Sequence, residues 1–308
     1  MSSIQIINSV RRRIKKYLKI IKVRFLSWII NIVDFIFPFI KVDHEFKHTE
    51  SIVKTVSKCA YIVNPLETLE EVSSFIFEEK TGVYMRFGDG DVFLALGKDE
   101  LYQQSRQDIK EEMIEALELK GSSVLKTSMI HSNAYGKTDE MFEGNHLVDD
   151  DFAFDILKST FQYYVGYRIY SHIALHYTAT YYPMKANLFL KLLKQKTVLF
   201  IGNETTPTNK KDLLFGNVPH IKTPTRNSYD RINEIENEAL LELSKLTSFG
   251  VVVVAMGCSG RILMKRIYKR NYNVFLFDFG SLLDGICGND TRLWLKEISS
   301  NYEFLDGL

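Results

Sequence analysis

Gly250-Val251-Val252-Val253-Val254-Ala255-Met256 decides the fold. The run is apolar throughout and shows no period-2 alternation, so both faces of the strand need cover. Strands of that kind belong to parallel sheets lying between helices. A helix over Arg261–Lys269 and another apolar strand over Asn273–Asp278 follow. Upstream, Tyr229–Leu246 reads as a helix, Thr197–Ile201 as a buried strand, and Pro183–Lys194 as a helix with proline at its start. Further back come a strand at Arg168–Ile173, a helix at Phe152–Tyr164 and a strand at Ser123–Ile130. Gln107–Lys120 is helical and stops at Gly121, Val83–Arg86 is a short strand opened by Gly82, and Leu66–Lys80 is helical. The alternation predicts an α/β domain over residues 60–308. Its expected form is a Rossmann-like open, mostly parallel sheet with helices on both faces.

The bulk properties fit such a domain. The chain has 308 residues, 45% hydrophobic and 25% charged, which is too apolar for disorder. The net charge of +1 gives no electrostatic ground for a nucleic-acid partner, and none is expected. Cys59, Cys258 and Cys287 show no CxxC spacing. A disulfide framework and a zinc site are not expected, and a reducing, cytoplasmic compartment fits best.

Residues 1–43 form a separate arm. Ile7, Val10, Ile14, Leu18, Ile21, Phe25 and Trp28 recur at helical spacing, and Arg12, Lys15, Lys19 and Lys22 follow it on another side. A basic amphipathic helix of this kind suits an anionic membrane surface. The apolar stretch beyond it is broken by Asp34 and Pro38 and is too short to span. The expectation is a protein peripheral to the inner face of the cell membrane. The other reading is a helix docked on the protein's own body.

In open α/β sheets ligands bind beyond the carboxyl ends of the strands. Arg86-Phe87-Gly88-Asp89-Gly90-Asp91 sits at such an end. On an extended backbone Asp89 and Asp91 point to one side, a hard oxygen pair for Mn²⁺ or Mg²⁺. Gly88 and Gly90 permit close ligand approach, and Arg86 suits a phosphate or a carboxylate. Gly257, Ser259 and Gly260 join the Gly250 strand to its helix, where backbone N–H groups bind anions. A plain tight turn is the alternative there. Asp278, Ser281 and Asp284 follow the last strand, with the two acids as candidates for hydroxyl binding or general-base work. Asn203 and Glu204 end the Thr197 strand. Arg226 and Asn227 follow another short strand, with Arg226 as a diphosphate contact and Ser228 as a helix cap. His172 and His176 lack a metal-binding motif, and the aromatic stretch Phe161–Tyr182 reads as core.

Arg86 to Asp91 resembles the RFGDGE hallmark of the GT-D-fold bacterial glycosyltransferases, enzymes acting on surface or protein-linked glycans. The resemblance continues in order through Leu199–Glu204, Ile221–Asp230, Val251–Gly260 and Tyr272–Gly280. It implies a nucleotide-sugar donor, expected to be a UDP-sugar, and a divalent metal held by the paired acids. Here Asp91 stands for the family's glutamate, and Ser281 stands where better-studied members carry histidine.

The expected activity is metal-dependent transfer of a sugar to a surface-glycan or lipid-linked saccharide. Asp89 and Asp91 are the metal ligands, and Asp284 or Glu204 the acceptor base. Arg86, Gly88, Gly90, Asn203, Arg226, Asn227, Gly257, Ser259, Gly260, Asp278 and Ser281 are the donor-site candidates. The same residues also admit a metal-dependent phospho- or nucleotidyltransferase, or a non-catalytic subunit of a membrane glycan-assembly complex.

Overall fold

The run at Gly250 is the strand β7, Gly250–Ala255, of an eight-stranded sheet. Its side chains divide between two cores. Val251 and Val253 join Phe275 and Phe277 in one, while Val252 and Val254 join Val274 and Leu276 in the other. That is the strand period of two with helices covering both faces.

The computed structural model describes residues 61–128, 168–289 and 302–308. The chain divides into Met1–Lys47 and His48–Leu308, and the described residues belong to the second unit. The arm expected over residues 1–43 and the helix expected at Phe152–Tyr164 lie outside them. Among the described residues no helix is long and apolar enough to cross a membrane.

In chain order the elements are β1 (Tyr61–Ile62), α1 (Pro65–Phe77), β2 (Gly82–Met85), α2 (Asp89–Ala95), α3 (Gln107–Glu118), β3 (Val124–Ser128), β4 (Arg168–Ser171), α4 (Ala174–Tyr181), α5 (Pro183–Lys194), β5 (Thr197–Asn203), α6 (Thr208–Phe215), β6 (His220–Thr223), a 3₁₀ turn (Ser228–Arg231), α7 (Ile232–Leu243), β7, α8 (Ser259–Tyr268), β8 (Val274–Asp278), α9 (Leu282–Ile286) and a closing 3₁₀ turn (Tyr302–Leu305). The sheet order is β1-β4-β3-β2-β8-β7-β5-β6, and every pairing is parallel. After β5 the chain moves outward to β6, whereas after β7 it moves the other way to β8. The adjacent strands β5 and β7 therefore form a topological switch point, and a crevice opens beyond their carboxyl ends.

Local chemistry sets the element ends. Asn64 caps α1 by accepting the Glu67 amide at 2.8 Å, and Pro65 fills its first turn. The helix buries Thr68, Leu69, Val72 and Ile76 at helical spacing. The helix expected from Tyr229 instead begins as a 3₁₀ turn and becomes α-helical at Ile232, with Asn227 rather than Ser228 at its cap.

Candidate active site

Two arginines and two aspartates form a buried floor under the carboxyl ends of β2, β7 and β8. Arg261, on α8, is its centre. Its Nε donates to the Arg86 carbonyl at 2.7 Å and lies 3.2 Å from Asp278 and 3.5 Å from Asp91. Its remaining nitrogens reach the carbonyls of Arg86 and Gly257. Arg86 donates from Nε to the His172 carbonyl at 2.6 Å, lies 3.5 Å from the His176 ring, and faces Asp278 at 3.9 Å. Asp278 also accepts the Arg86 amide at 3.3 Å. Buried charges persist when paired and hydrogen-bonded in this way.

Glycine makes the floor possible at one point above all. Gly280 has φ +67°, and a Cβ there would lie 1.1 Å from Arg86 Nη1. The guanidinium thus occupies the space a side chain would need. Gly90 allows a second close approach, since its Cβ would meet Cys258 Sγ at 2.9 Å.

The geometry expected of Asp89 and Asp91 is corrected. They lie in the first turn of α2, not on an extended backbone. Residues two apart on a helix do not face one another. Asp91 turns inward, 1% exposed, and its Oδ2 accepts the Gly88 amide at 2.7 Å, the side-chain-to-N-cap half of a capping box. Burial raises its pKa to about 6, against the lowering effects of Arg261 and the Gly88 amide. Asp89 turns outward and is exposed.

The other candidate residues separate in the same way. Arg86 and Asp278, expected at the donor, are engaged with each other in the floor. Ser259 is 2% exposed and donates to Gln103 at 3.0 Å. Gly88 gives its amide to Asp91, and Gly260 packs against Val254. Asn203 orders its own turn through Thr205 and Thr225. Asn227 holds a left-handed φ of 51° and bonds the loop between α2 and α3. Facing outward along the carboxyl edge are Asp89, Glu204, Arg226, Gly257 and Asp284, with Ser281 half-buried. Gly257 has φ +57° and open space where a side chain would sit, at the start of α8. A helix start of this kind suits an approaching anion.

The floor's organiser, Arg261, and the buried clamp Gln103 were not among the expected site residues. Arg261 was within reach, because it closes the Gly257 segment. His172 and His176 do enter the site's support, through Arg86 rather than through a metal.

A divalent cation can be tested against these donors. Asp89 is exposed, and Asp91 Oδ1 is a buried oxygen without a hydrogen-bond partner. Among the described residues no group of three or more His, Cys, Asp and Glu side chains could hold a metal. Hard cations that act on diphosphates use roughly one or two carboxylates and complete their shell with phosphate oxygens and water. Asp89, exposed at the edge, fits that arrangement, and the described residues form no all-protein cage.

Solved structures share this fold at low sequence identity. A selenomethionine-substituted structure of the domain of unknown function 1792 aligns with TM-score 0.54 at 17% identity, covering 76% of this chain and 82% of that one. A structure described as the highly conserved domain of unknown function 1792 with a distinct glycosyltransferase fold gives 0.53 at 17%, covering 77% and 82%. A new glycosyltransferase of this domain type from Streptococcus sanguinis gives 0.53 at 16%, covering 79% and 87%. At these identities the likeness is one of fold. No curated protein matches the sequence. The family model described as "Glycosyltransferase GT-D fold" matches residues 84–283, which contain the floor and all of the outward-facing edge but Asp284, and the chain belongs to that family of glycosyltransferases.

Proposed function

We propose that the enzyme transfers a sugar from a nucleotide-sugar donor, a UDP-sugar in the first instance, with Mn²⁺ or Mg²⁺ held by the outward-facing Asp89 and the donor's own phosphate oxygens. The observation that carries this reading is the exposed carboxylate of Asp89 beside the open, left-handed Gly257 turn. The two offer complementary contacts to a diphosphate, one through a cation and one through backbone amides. When bound, the cation offsets charge developing on the leaving diphosphate. Gly257 and the first amides of α8 hold the same group from the protein side, and Arg226 adds a guanidinium. The floor keeps these groups in place: Arg261 ties the Gly257 carbonyl to Asp91 and Asp278.

An exposed carboxylate at the edge deprotonates the acceptor hydroxyl. Glu204 follows β5 at the switch point and Asp284 lies on α9. The acceptor is a surface-glycan or lipid-linked saccharide, and the enzyme works in polysaccharide biosynthesis. The basic pattern of residues 1–43 supports a place at the inner face of the cell membrane.

A nucleotide-sugar panel with and without Mn²⁺ tests the reading. Release of nucleoside diphosphate with sugar transfer, dependent on the cation, is expected. Transfer of phosphate instead of sugar, or equal turnover after chelation, overturns it. Flotation with anionic vesicles, before and after deletion of residues 1–43, tests the membrane arm; unchanged partitioning overturns that part.

A further inference from the structure

The loop between α2 and α3 is fastened with unusual care. The Asn227 amide donates to the Tyr102 carbonyl at 2.8 Å, and the Gln104 amide donates to the Asn227 side chain at 3.0 Å. Gln103 turns inward, 4% exposed, and its Oε1 accepts from the Tyr229 amide at 3.1 Å and the Ser259 hydroxyl at 3.0 Å. The loop is thereby bonded to the turns after β6 and after β7. Asn227 adopts its left-handed backbone in making these bonds, a conformation unfavourable for most residues other than glycine.

What this fastening displays is an aromatic rim. Tyr102 is 41% exposed, and the Arg226 guanidinium lies over its ring at 6.0 Å from the centroid. Scattered exposed apolar side chains need no explanation. This ring is different, because its backbone is held by two turns of the carboxyl edge. The loop also continues directly from α2, which bears Asp89, and its Glu100 lies against Gly90.

The geometry points to Tyr102 as the stacking platform for the donor's nucleobase, with Arg226 beside it as a contact for the nucleotide phosphates. This rests on the nucleotide-sugar reading above. A flat π face next to a guanidinium matches what a nucleotide offers, a flat base joined to an anion. A neutral saccharide uses the ring and leaves the guanidinium without a counter-charge. A lipid chain uses neither. The platform is ready-made, because its backbone is ordered before the ligand arrives, which lowers the entropy cost of stacking.

The test is calorimetric titration of the full chain with UDP, UMP and inorganic diphosphate, each with Mn²⁺, for wild type, Tyr102→Ala, Tyr102→Trp and Arg226→Gln. Both side chains are exposed, so all four proteins should share one thermal transition. Tyr102→Ala is expected to weaken UDP and UMP about tenfold and to leave diphosphate within about twofold. Tyr102→Trp should retain both nucleotides, and Arg226→Gln should weaken all three ligands. The inference is overturned if Tyr102→Ala binds UDP as wild type does, or loses diphosphate as strongly as UDP. If wild type binds neither UDP nor UMP, the UDP-sugar reading itself has failed. Nucleotide binding that ignores Tyr102 sinks the platform alone.

Discussion

The floor and the rim of this site are made of the same residue types and behave in opposite ways. In the floor, Arg86, Arg261, Asp91 and Asp278 are each 12% exposed or less in their side chains and are ion-paired with one another. On the rim, Asp89, Glu204 and Arg226 are exposed. A single hexapeptide contributes to both, because α2 begins inside it. The first turn of that helix sends Asp89 outward and Asp91 inward. Motif membership therefore does not assign a role; the rotation of the helix does.

Removing the centre of the floor breaks this contrast most severely. Arg261→Met leaves Asp91 and Asp278 buried beside an apolar side chain, and about 3–5 kcal/mol of stability should go with it. Urea unfolding measures this; a loss under 1 kcal/mol, roughly that of an exposed pair, would place Arg261 on the rim instead. Asp89→Asn tests the other side. Activity should fall about a hundredfold or more, roughly 2.7 kcal/mol of transition-state free energy, with the unfolding midpoint nearly unchanged. A large stability loss with activity retained would reverse the assignment.

Gly280→Ala is expected to cost about 2 kcal/mol, from a left-handed backbone and a displaced Arg86. Thermal unfolding reads it, and a neutral result would mean that the guanidinium relocates without penalty. The smallest effect concerns pH, away from the site. Burial works to raise the pKa of Glu112, but hydrogen bonds from Arg266, Lys265 and Tyr229 prevail and hold it at about 2, against the usual 4.5. Its contribution to stability is present above about pH 4.5 and fades as pH falls toward 2. Glu112→Gln should flatten the acid limb of a melting-temperature profile; an unaltered limb would remove this network from the account.

The sheet was legible where burial is two-sided. The strands at Gly250, Asn273 and Thr197 each read as apolar runs, and all three are interior strands with a partner on either side. The helix α2 was not legible, because Asp89-Gly90-Asp91 has the composition of a turn and the helix is only 7 residues long. The helix α4 hid in an aromatic stretch that is buried on almost every side, which erases amphipathic spacing. The floor was half legible. Arg86, Asp91 and Asp278 were singled out at strand ends and Arg261 was not, and an arginine's sequence neighbours do not tell whether it faces ligand or partner. Arg86 meets Asp278 192 positions away and the His172 carbonyl 86 away. Such pairings come from topology, and so did the fastening that holds Tyr102 at the rim.

The interlock of Arg86 with Gly280 also constrains how this sequence can be inherited and rebuilt. Position 280 accepts a side chain at lower cost once position 86 has given up its guanidinium, so one order of substitution is favoured over the other. A chimera that brings a side chain to position 280 at the β8 end should exchange the β2 end in the same step. Two short segments from opposite halves of the gene thus travel as one unit.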